Sequence, residues 1–298
     1  MTKTVLIHSD EYSNWVFSSS HPTQGRRFIN AKVSLDSMID MEIISPRPAL
    51  YSELNRVHSK EYLDRVLIDG QSGEWDGSRP DLSNLASMFV GGTLVALDKL
   101  LQSEATTAIH FPGAKHHAQK DRSSGFCVFA DFAIAADIAT KDFGKKVAII
   151  DIDAHHGDGT ENLTIDNPNV LAYSIHEYGI FPGTGYESYP EFHTYNYALG
   201  LDDMEKTDKA LLRGVERFIR VAKAFAPDLI FIACGADGHA EDPLSHLQYS
   251  VEGYKAVAKL LSESFPQMPF LMGGAGGYLP DTRTPQVWAN FAATISLR

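Results

Sequence analysis

Eight short apolar runs recur along this chain of 298 residues, and longer segments with helical periodicity separate most of them. This alternation is typical of a parallel sheet covered by helices, because such strands are buried on both faces and each crossover needs a connecting element. The apolar runs predict strands near residues 3–8, 41–44, 106–111, 146–152, 169–175, 193–198, 228–233 and 269–273. The helical patterns predict helices at about 24–39, 82–103, 129–142, 204–225, 250–265 and 284–296.

The domain organisation follows from the same pattern. No linker-like segment divides the chain and no period of about 20–50 residues repeats. Folds of the α/β class commonly extend over roughly 200–300 residues around one sheet. We therefore expect residues 1–298 to form a single α/β domain.

Composition excludes several classes of partner. The chain carries 26 Lys and Arg against 38 Asp and Glu, a net charge of −12, and it has no basic stripe that could meet nucleic-acid phosphates. No apolar run approaches the roughly 18 residues that span a bilayer, so no membrane partner is expected. The chain has only two cysteines, and its first residues lack the features of a signal peptide, which favours a cytoplasmic location. The oligomeric state is left open.

The strongest local motif runs from Asp151 to Thr160 and directly follows an apolar strand. Asp153 and His155 are two residues apart, and in extended chain such side chains project to the same side. A carboxylate and an imidazole placed in this way can bind one cation, with Zn²⁺ or Fe²⁺ as the best match. The alternative interpretation is a polar loop with helix-capping aspartates.

A second cluster contains the adjacent histidines His116 and His117. A solvated turn often explains such a pair in isolation. Asp151 and Asp158 of the first motif are spare carboxylates, however, and a carboxylate on Nδ1 fixes the tautomer and raises the basicity of the other nitrogen. Two His–Asp dyads therefore become possible.

Two further strand ends carry polar side chains. Asp237 follows one apolar run and can supply the remaining metal oxygen, although a helix N-cap is its alternative role. Tyr278 follows a glycine-rich loop that can turn sharply towards a cleft, although packing is the commoner role of a tyrosine there. Because ligands of open α/β sheets bind at the carboxyl ends of strands, we expect these segments to build one site.

Together these segments resemble the zinc-dependent histone deacetylase and acetylpolyamine amidohydrolase group of the arginase/deacetylase superfamily. The resemblance extends from His21 to Trp288 and includes Gly235-Ala236-Asp237 and Gly276-Gly277-Tyr278. It implies a three-layer α/β/α sandwich around a central, mostly parallel eight-stranded sheet. It also implies a metal-dependent enzyme that removes an acetyl or other acyl group from an N-acylated amine, such as an acyl-lysine, an acylpolyamine or a related small molecule.

The resemblance also assigns metal sites. The family pattern makes Asp153, His155 and Asp237 the ligands of the catalytic metal, which is Zn²⁺ or, alternatively, Fe²⁺. It further implies a structural K⁺ near Asp151, Asp153, His155 and Ser174.

Catalytic roles follow from the same resemblance. His117, paired with Asp158, is the implied general base and acid, whereas His116, paired with Asp151, tunes the charge of the site. The pattern implies an oxyanion donor at Tyr278. It also implies that Phe126 and Phe181 are walls of the acyl-lysine tunnel and that the Gly125 carbonyl receives the substrate N–H. Cys127 lies next to this site and is either a packed thiol, which is favoured, or a nucleophile.

Two alternative functions use the same fold. One is a non-catalytic protein that binds acyl ligands, and the other is a dinuclear manganese ureohydrolase. The second is disfavoured because Gly157 and His239 stand where a second ion would need carboxylates. Lys115 departs from the family pattern; it is either solvated, or its ammonium meets an anionic substrate or shifts the titration of His116.

Overall fold

Eight parallel strands form a single sheet in the computed structural model, which describes residues 3–297. The spatial order is β2-β1-β3-β8-β7-β4-β5-β6, and every pairing is parallel. The strands are β1 (Thr4–Ile7), β2 (Glu42–Ile44), β3 (Thr107–His110), β4 (Val147–Asp151), β5 (Val170–Glu177), β6 (Thr194–Leu199), β7 (Leu229–Ala233) and β8 (Phe270–Gly273). All eight predicted strands are confirmed, as is the α/β class.

Nine α-helices connect these strands within the described residues. They are α1 (Arg26–Asp36), α2 (Tyr51–Leu54), α3 (Lys60–Leu67), α4 (Pro80–Leu101), α5 (Asp131–Lys141), α6 (Asp158–Thr164), α7 (Asp208–Phe225), α8 (Val251–Ser264) and α9 (Arg283–Ser296). The six predicted helices are confirmed. The predictions miss α2, α3 and α6, because helices of four to eight residues are too short to show a 3.6-residue period.

The helices pack in two rows, one on each side of the sheet. One row is α1-α9-α8-α7 and the other is α3-α4-α5-α6, with neighbours in each row in contact. Strand β3 contacts α4 from one row and α9 from the other, and β5 contacts α6 and α7 in the same way. This is the three-layer α/β/α arrangement that the sequence resemblance implied.

Helix α4 is rich in apolar residues. Over its 22 residues it is long and apolar enough to cross a membrane by length and composition alone. Within the fold, 67% of its most apolar 18-residue window is buried. A helix that is covered on most sides by its own domain needs apolar residues all round, which accounts for this composition.

The register of the central strands brings four strand ends to one level. His110 of β3 is paired with Gly273 of β8, which is paired with Ala233 of β7, and Ala233 is paired with Asp151 of β4. The loops that leave these positions carry all the polar motifs of the sequence. They therefore converge at the carboxyl edge of the sheet.

Candidate metal and catalytic site

Three buried side chains form a compact cluster above β4 and β7. The His155 Nδ1 atom lies 3.1 Å from Asp153 Oδ1 and 2.9 Å from Asp237 Oδ2. One ligand atom from each residue lies within 4.8 Å of the others, and within residues 3–297 no other group of three such side chains is found. The three predicted metal ligands are therefore brought together.

Backbone hydrogen bonds hold the two carboxylates in place. Asp237 Oδ1 accepts the N–H of Ala154 at 2.9 Å, which ties the β7 loop to the β4 loop. Asp153 Oδ2 accepts the N–H of Gly276 at 2.7 Å, and its Oδ1 accepts the N–H of His155 at 2.9 Å. Each carboxylate thus keeps an oxygen directed at the His155 nitrogen, while its own orientation is fixed from a different loop.

The electrostatics of this cluster favour a bound cation. Burial opposes the protonation of His155, yet Asp153 and Asp237 outweigh it and raise the pKa of this imidazole to about 11. Burial, together with the nearby Asp153 charge, raises the pKa of Asp237 above its usual range. A proton held by His155 therefore balances the negative charge of the two carboxylates, and a metal cation would take the place of that proton. This donor set of two oxygens and one nitrogen fits a divalent transition metal.

The two adjacent histidines form separate dyads with two carboxylates. His116 Nδ1 lies 2.7 Å from Asp151 Oδ2, and His117 Nδ1 lies 2.7 Å from Asp158 Oδ1. The other Asp158 oxygen accepts a hydrogen bond from Gln119 Nε2 at 2.8 Å. An ionised carboxylate only accepts hydrogen bonds, so each Nδ1 is the donor, and Nε2 of a neutral ring carries the lone pair.

The two dyads differ in charge. Burial disfavours the protonated form of His116, but Asp151 and Asp153 outweigh it and raise the pKa to about 9. Burial and the neighbouring His116 charge lower the pKa of His117 to about 4, against the opposing effect of Asp158. At neutral pH these pKa values make His116 a cation and His117 a neutral imidazole.

An apolar cavity of about 410 Å³ opens onto these groups. Its lining includes two of the predicted tunnel walls and further apolar side chains, namely Phe126, Ile180, Phe181 and Leu244. Its other lining residues are His117, Gly125, His155 and Tyr278. The ring of Phe181 meets that of His117 edge-on, with 5.0 Å between their centroids.

Glycine is required at position 125 of this cavity. The backbone of Gly125 has φ of 53°, and an added Cβ would lie 2.4 Å from Cδ2 of His117. The main chain can therefore approach the His117 ring only because this residue has no side chain.

The loop that carries Tyr278 is held by two side chains from elsewhere. Asp242 Oδ2 accepts the N–H of Tyr278 at 2.8 Å, and Arg27 donates to the Gly277 carbonyl at 2.7 Å. Burial, with Asp237 and Asp153 nearby, raises the pKa of the Tyr278 phenol, so the hydroxyl keeps its proton. Tyr278 therefore lines the cavity as a hydrogen-bond donor.

Several contributors to the site were not predicted. Gln119 donates to Asp158 of the His117 dyad, and Asp242 accepts the N–H of Tyr278. Glu74 accepts the N–H of Phe126 at 2.9 Å. Asp242 lies five positions after Asp237 in the loop that follows β7, so its closeness in sequence was a usable signal. Glu74 lies in a loop without any distinguishing pattern, and only the three-dimensional structure brings it to the site.

The structure resolves two alternatives that the sequence left open. Cys127 is buried, and burial is the main cause that raises the pKa of its thiol to about 12. Both observations agree with a packed thiol. Lys115 is only 6% exposed, so the solvated interpretation of this lysine is wrong.

Comparisons with known proteins cover nearly the whole chain. The histone deacetylase domain model matches residues 21–295. The acetoin utilization protein AcuC of Bacillus subtilis (strain 168) is 32% identical over 313 residues, which cover 97% of this chain and 81% of that protein. AcuC of Staphylococcus aureus (strain MRSA252) is 31% identical, with coverage of 97% and 81%. The crystal structure of the HDA15 HD domain superposes with a TM-score of 0.83 at 22% identity, covers 99% of this chain and 90% of that one, and shows the same fold.

Proposed function

This chain belongs to the histone deacetylase family and has the arginase/deacetylase fold, and on that basis we propose that it is a metal-dependent amidohydrolase of N-acyl amines. One observation carries the proposal: His155 of the ligand cluster and the neutral base His117 line the same apolar cavity. A cavity walled by Phe126 and Phe181 suits the aliphatic chain of an acyl-lysine or acylpolyamine.

The metal is assigned to the cluster of Asp153, His155 and Asp237, with Zn²⁺ as our first choice and Fe²⁺ as the alternative. A divalent ion bound there would act as a Lewis acid, polarising the amide carbonyl and lowering the pKa of water. The structural K⁺ near Asp151 and Ser174 and the cytoplasmic location stay predictions.

His117 is the general base in this proposal. Its Nδ1–H donates to Asp158, so Nε2 is free to accept a proton from the attacking water. Its lowered pKa keeps Nε2 unprotonated at neutral pH. Gln119 holds the second oxygen of Asp158 and thereby fixes the plane of the carboxylate. Asp158 and Gln119 are therefore positioning residues.

Tyr278 stabilises the oxygen of the amide carbonyl as negative charge develops there. Its hydroxyl remains protonated, and Asp242 and Arg27 fix its loop before any substrate binds. Donors that are already in place avoid reorganisation during the reaction, and one such donor contributes roughly 10²–10³ in rate.

A protonated imidazole completes the reaction. The C–N bond breaks, the water oxygen stays on the acyl carbon, and the amine leaves with a proton from a histidine. The protonated His116, which is held by its hydrogen bond to Asp151, stabilises the negatively charged intermediate. The products are a carboxylate and a free amine.

The ureohydrolase alternative meets a steric obstacle. A Cβ atom at Gly157 would lie 2.5 Å from Asp151 Oδ2 and 3.4 Å from His116 Nδ1. An aspartate at this position would collide with the His116–Asp151 dyad. The geometry therefore supports a single catalytic metal over a dinuclear site.

The test combines metal analysis with turnover. Purified protein is stripped of metal, reloaded with Zn²⁺ or Fe²⁺, and assayed on acetyl-lysine amides, acetylpolyamines and other N-acyl amines. We expect one tightly held ion per chain and metal-dependent amide hydrolysis, with both lost in Asp237→Ala. A hydroxamate, which chelates an open Lewis-acidic metal, should inhibit. Two tightly held ions per chain, or full turnover by Asp237→Ala, would refute the proposal.

A further inference from the structure

The carbonyl group of Gly125 is a hydrogen-bond acceptor at the wall of the catalytic cavity. Gly125 lines this cavity together with His117 and Phe181. Within residues 3–297, no N–H or O–H group of the protein donates to the Gly125 oxygen. A backbone carbonyl beside apolar walls gains free energy when it finds a donor. A ligand that brings an N–H group into the cavity would supply one.

The N–H of the same peptide group is bound by a carboxylate. Phe126 N–H donates to Glu74 Oε2 at 2.9 Å. The peptide group between Gly125 and Phe126 is trans, so its N–H and C=O point in opposite directions. Glu74 does not line the catalytic cavity, whereas Gly125 does. The carbonyl oxygen therefore points away from Glu74, on the side of the cavity.

The backbone conformation on both sides of this peptide group is unusual. The φ angle is 53° at Gly125 and 65° at Phe126, and the left-handed region is disfavoured for a phenylalanine. Ser124 and Cys127 close the turn with reciprocal backbone hydrogen bonds of 3.0 Å and 2.9 Å. In the part of the chain that the structure describes, the hydrogen bond to Glu74 is the only one made by the enclosed peptide group. Glu74 therefore fixes the plane of that group.

Glu74 is itself held against this turn. The hydroxyl of Ser72 donates to Ser123 Oγ at 2.8 Å, and the N–H of Gly73 donates to the same oxygen at 3.0 Å. Among residues 3–297, no cationic side chain pairs with Glu74, and the Phe126 N–H is the one group that donates to its carboxylate. The whole charge of this half-buried side chain is therefore directed at one peptide group.

This arrangement changes the carbonyl as well as holding it. A hydrogen bond to an ionised acceptor is stronger than one between neutral groups. Hydrogen bonds in a chain polarise one another, so a peptide group whose N–H is bound by a carboxylate is a better acceptor at its oxygen. Glu74 therefore strengthens the Gly125 carbonyl as an acceptor without touching the cavity.

We propose that Glu74 is a positioning residue that acts through the Gly125–Phe126 peptide group and makes the site select substrates with an N–H at the scissile bond. This inference rests on the proposed amide hydrolysis, and it restricts the substrate class to secondary amides. The N–H of the scissile amide donates to the Gly125 carbonyl, as the family resemblance implies, while Glu74 holds the other edge of that peptide group. An ester presents an oxygen there, so two acceptors would face each other.

The kinetic test compares two substrates that differ at one atom. The zinc-loaded full chain is assayed with an acetyl-lysine peptide and with the matching ester, in which oxygen replaces the side-chain nitrogen. In Glu74→Ala, the amide-to-ester ratio of kcat/KM should fall about 2- to 12-fold, the range for the net loss of one hydrogen bond. Glu74→Gln keeps a neutral acceptor oxygen, so its ratio should fall less.

A variant of the same loop is the matched control. Ser78→Ala removes a hydrogen bond of 2.7 Å from the Ser78 hydroxyl to the Asp69 carbonyl and leaves Glu74 in place. It should keep the amide-to-ester ratio of the unaltered chain. Equal losses for amide and ester in Glu74→Ala would show that Glu74 only supports the fold of its loop, and would overturn the inference. A ratio that falls as far in Ser78→Ala would overturn it too.

A measurement without metal separates this inference from the proposed function. The sequence contains a single Gly-Phe dipeptide, Gly125-Phe126. Protein made with ¹³C-carbonyl glycine and ¹⁵N-phenylalanine therefore gives one HNCO signal, from this peptide group. N-butylacetamide and butyl acetate are titrated into the metal-free full chain. We expect the amide to move the Gly125 carbonyl resonance downfield, the ester to leave it nearly in place, and the amide to bind about 2- to 12-fold more weakly to Glu74→Ala.

The outcomes are distinguishable. A Glu74-dependent shift with N-butylacetamide, without hydrolysis of any amide, would sustain the role of Glu74 and overturn the hydrolase. Amide hydrolysis with a ratio and a shift that do not depend on Glu74 would overturn this inference and leave the hydrolase standing. Equal shifts with amide and ester in the unaltered chain would also overturn it. If Glu74→Ala fails to fold, Glu74→Gln gives the same comparisons, and an unchanged ratio there refutes the role of the charge.

Discussion

Loading the metal-free protein with Zn²⁺ at pH 8 should release about one proton per ion. The reason is His155, whose Nδ1 atom lies between two carboxylate oxygens. These carboxylates outweigh the effect of burial and raise the pKa of His155 to about 11. Three pH units below that value, only about one ring in 1,000 is neutral. A metal that binds Nδ1 must displace this proton, so nearly one full proton per ion is expected.

The proton count should grow as the pH is lowered towards 6. Burial and the Asp153 charge raise the pKa of Asp237, so this carboxyl group carries an increasing share of a second proton. The ion must displace that proton too. Ionisation of a water molecule on the metal changes in the opposite direction, because it contributes more protons as the pH rises.

Isothermal titration calorimetry in pairs of buffers with different ionisation enthalpies measures the count directly. At one pH, the slope of observed enthalpy against buffer ionisation enthalpy is the number of protons released. Tyr278→Phe, which leaves the three ligands unchanged, should give the same count as the unaltered chain. A count near zero at pH 8, or a count that falls between pH 8 and pH 6, would refute the electrostatic argument.

Three further outcomes are expected. Tyr278→Phe should keep its metal and lose roughly 10²–10³ in kcat, because only a transition-state hydrogen bond is removed; a near-normal rate would reassign Tyr278 to packing. His117→Ala should leave almost no turnover of an acetyl amide with normal metal content, whereas His116→Ala should keep measurable turnover with an altered pH profile; the reverse order would exchange their roles. Burial lowers the pKa of His58 from 6.5 to about 4, so the folded state binds fewer protons than the unfolded state between these values. The contribution of His58 to the free energy of unfolding should be fully present above pH 6.5 and should fall by roughly 3 kcal/mol on acidification to pH 4. Urea titrations of His58→Gln should show a smaller decline than those of the unaltered chain.

The strands could be predicted because parallel strands buried on both faces have nearly continuous apolar sequences. Val147–Asp151 and Leu229–Ala233 are buried at every position, so their sequences differ sharply from the amphipathic helices. Helix α6 escaped prediction because its seven residues begin at Asp158, inside a motif whose polar residues indicate a loop.

The metal cluster was only partly visible in the sequence. Asp153 and His155 were paired by their two-residue spacing, which is a local property of extended chain. Asp237 joins them because β7 lies beside β4, and this neighbourhood is set by the order of the strands in the sheet. Strand order is a long-range property that periodicity does not contain. The sequence pattern therefore offered Asp237 only as a possible ligand, and the family resemblance assigned it to the metal.

Lys115 shows where local reasoning fails. A lysine beside two histidines indicates a solvated loop, because lysine is rarely buried. Its environment is set by rings from two helices that are distant in sequence, Phe28 on α1 and Phe89 on α4. Only the packing of these helices over the loop determines whether water reaches the ammonium.

The convergence of β3, β8, β7 and β4 at one edge also bears on how the chain folds. His155 and Asp237 are 82 positions apart, and Gly276 lies 123 positions after the Asp153 carboxylate to which it donates. Contacts of such separation close large loops and slow the search for the native pairing. An isolated segment of the chain holds at most two of the three ligands near each other. We therefore expect tight Zn²⁺ capture during refolding to develop late, in the same kinetic phase in which β7 docks between β4 and β8.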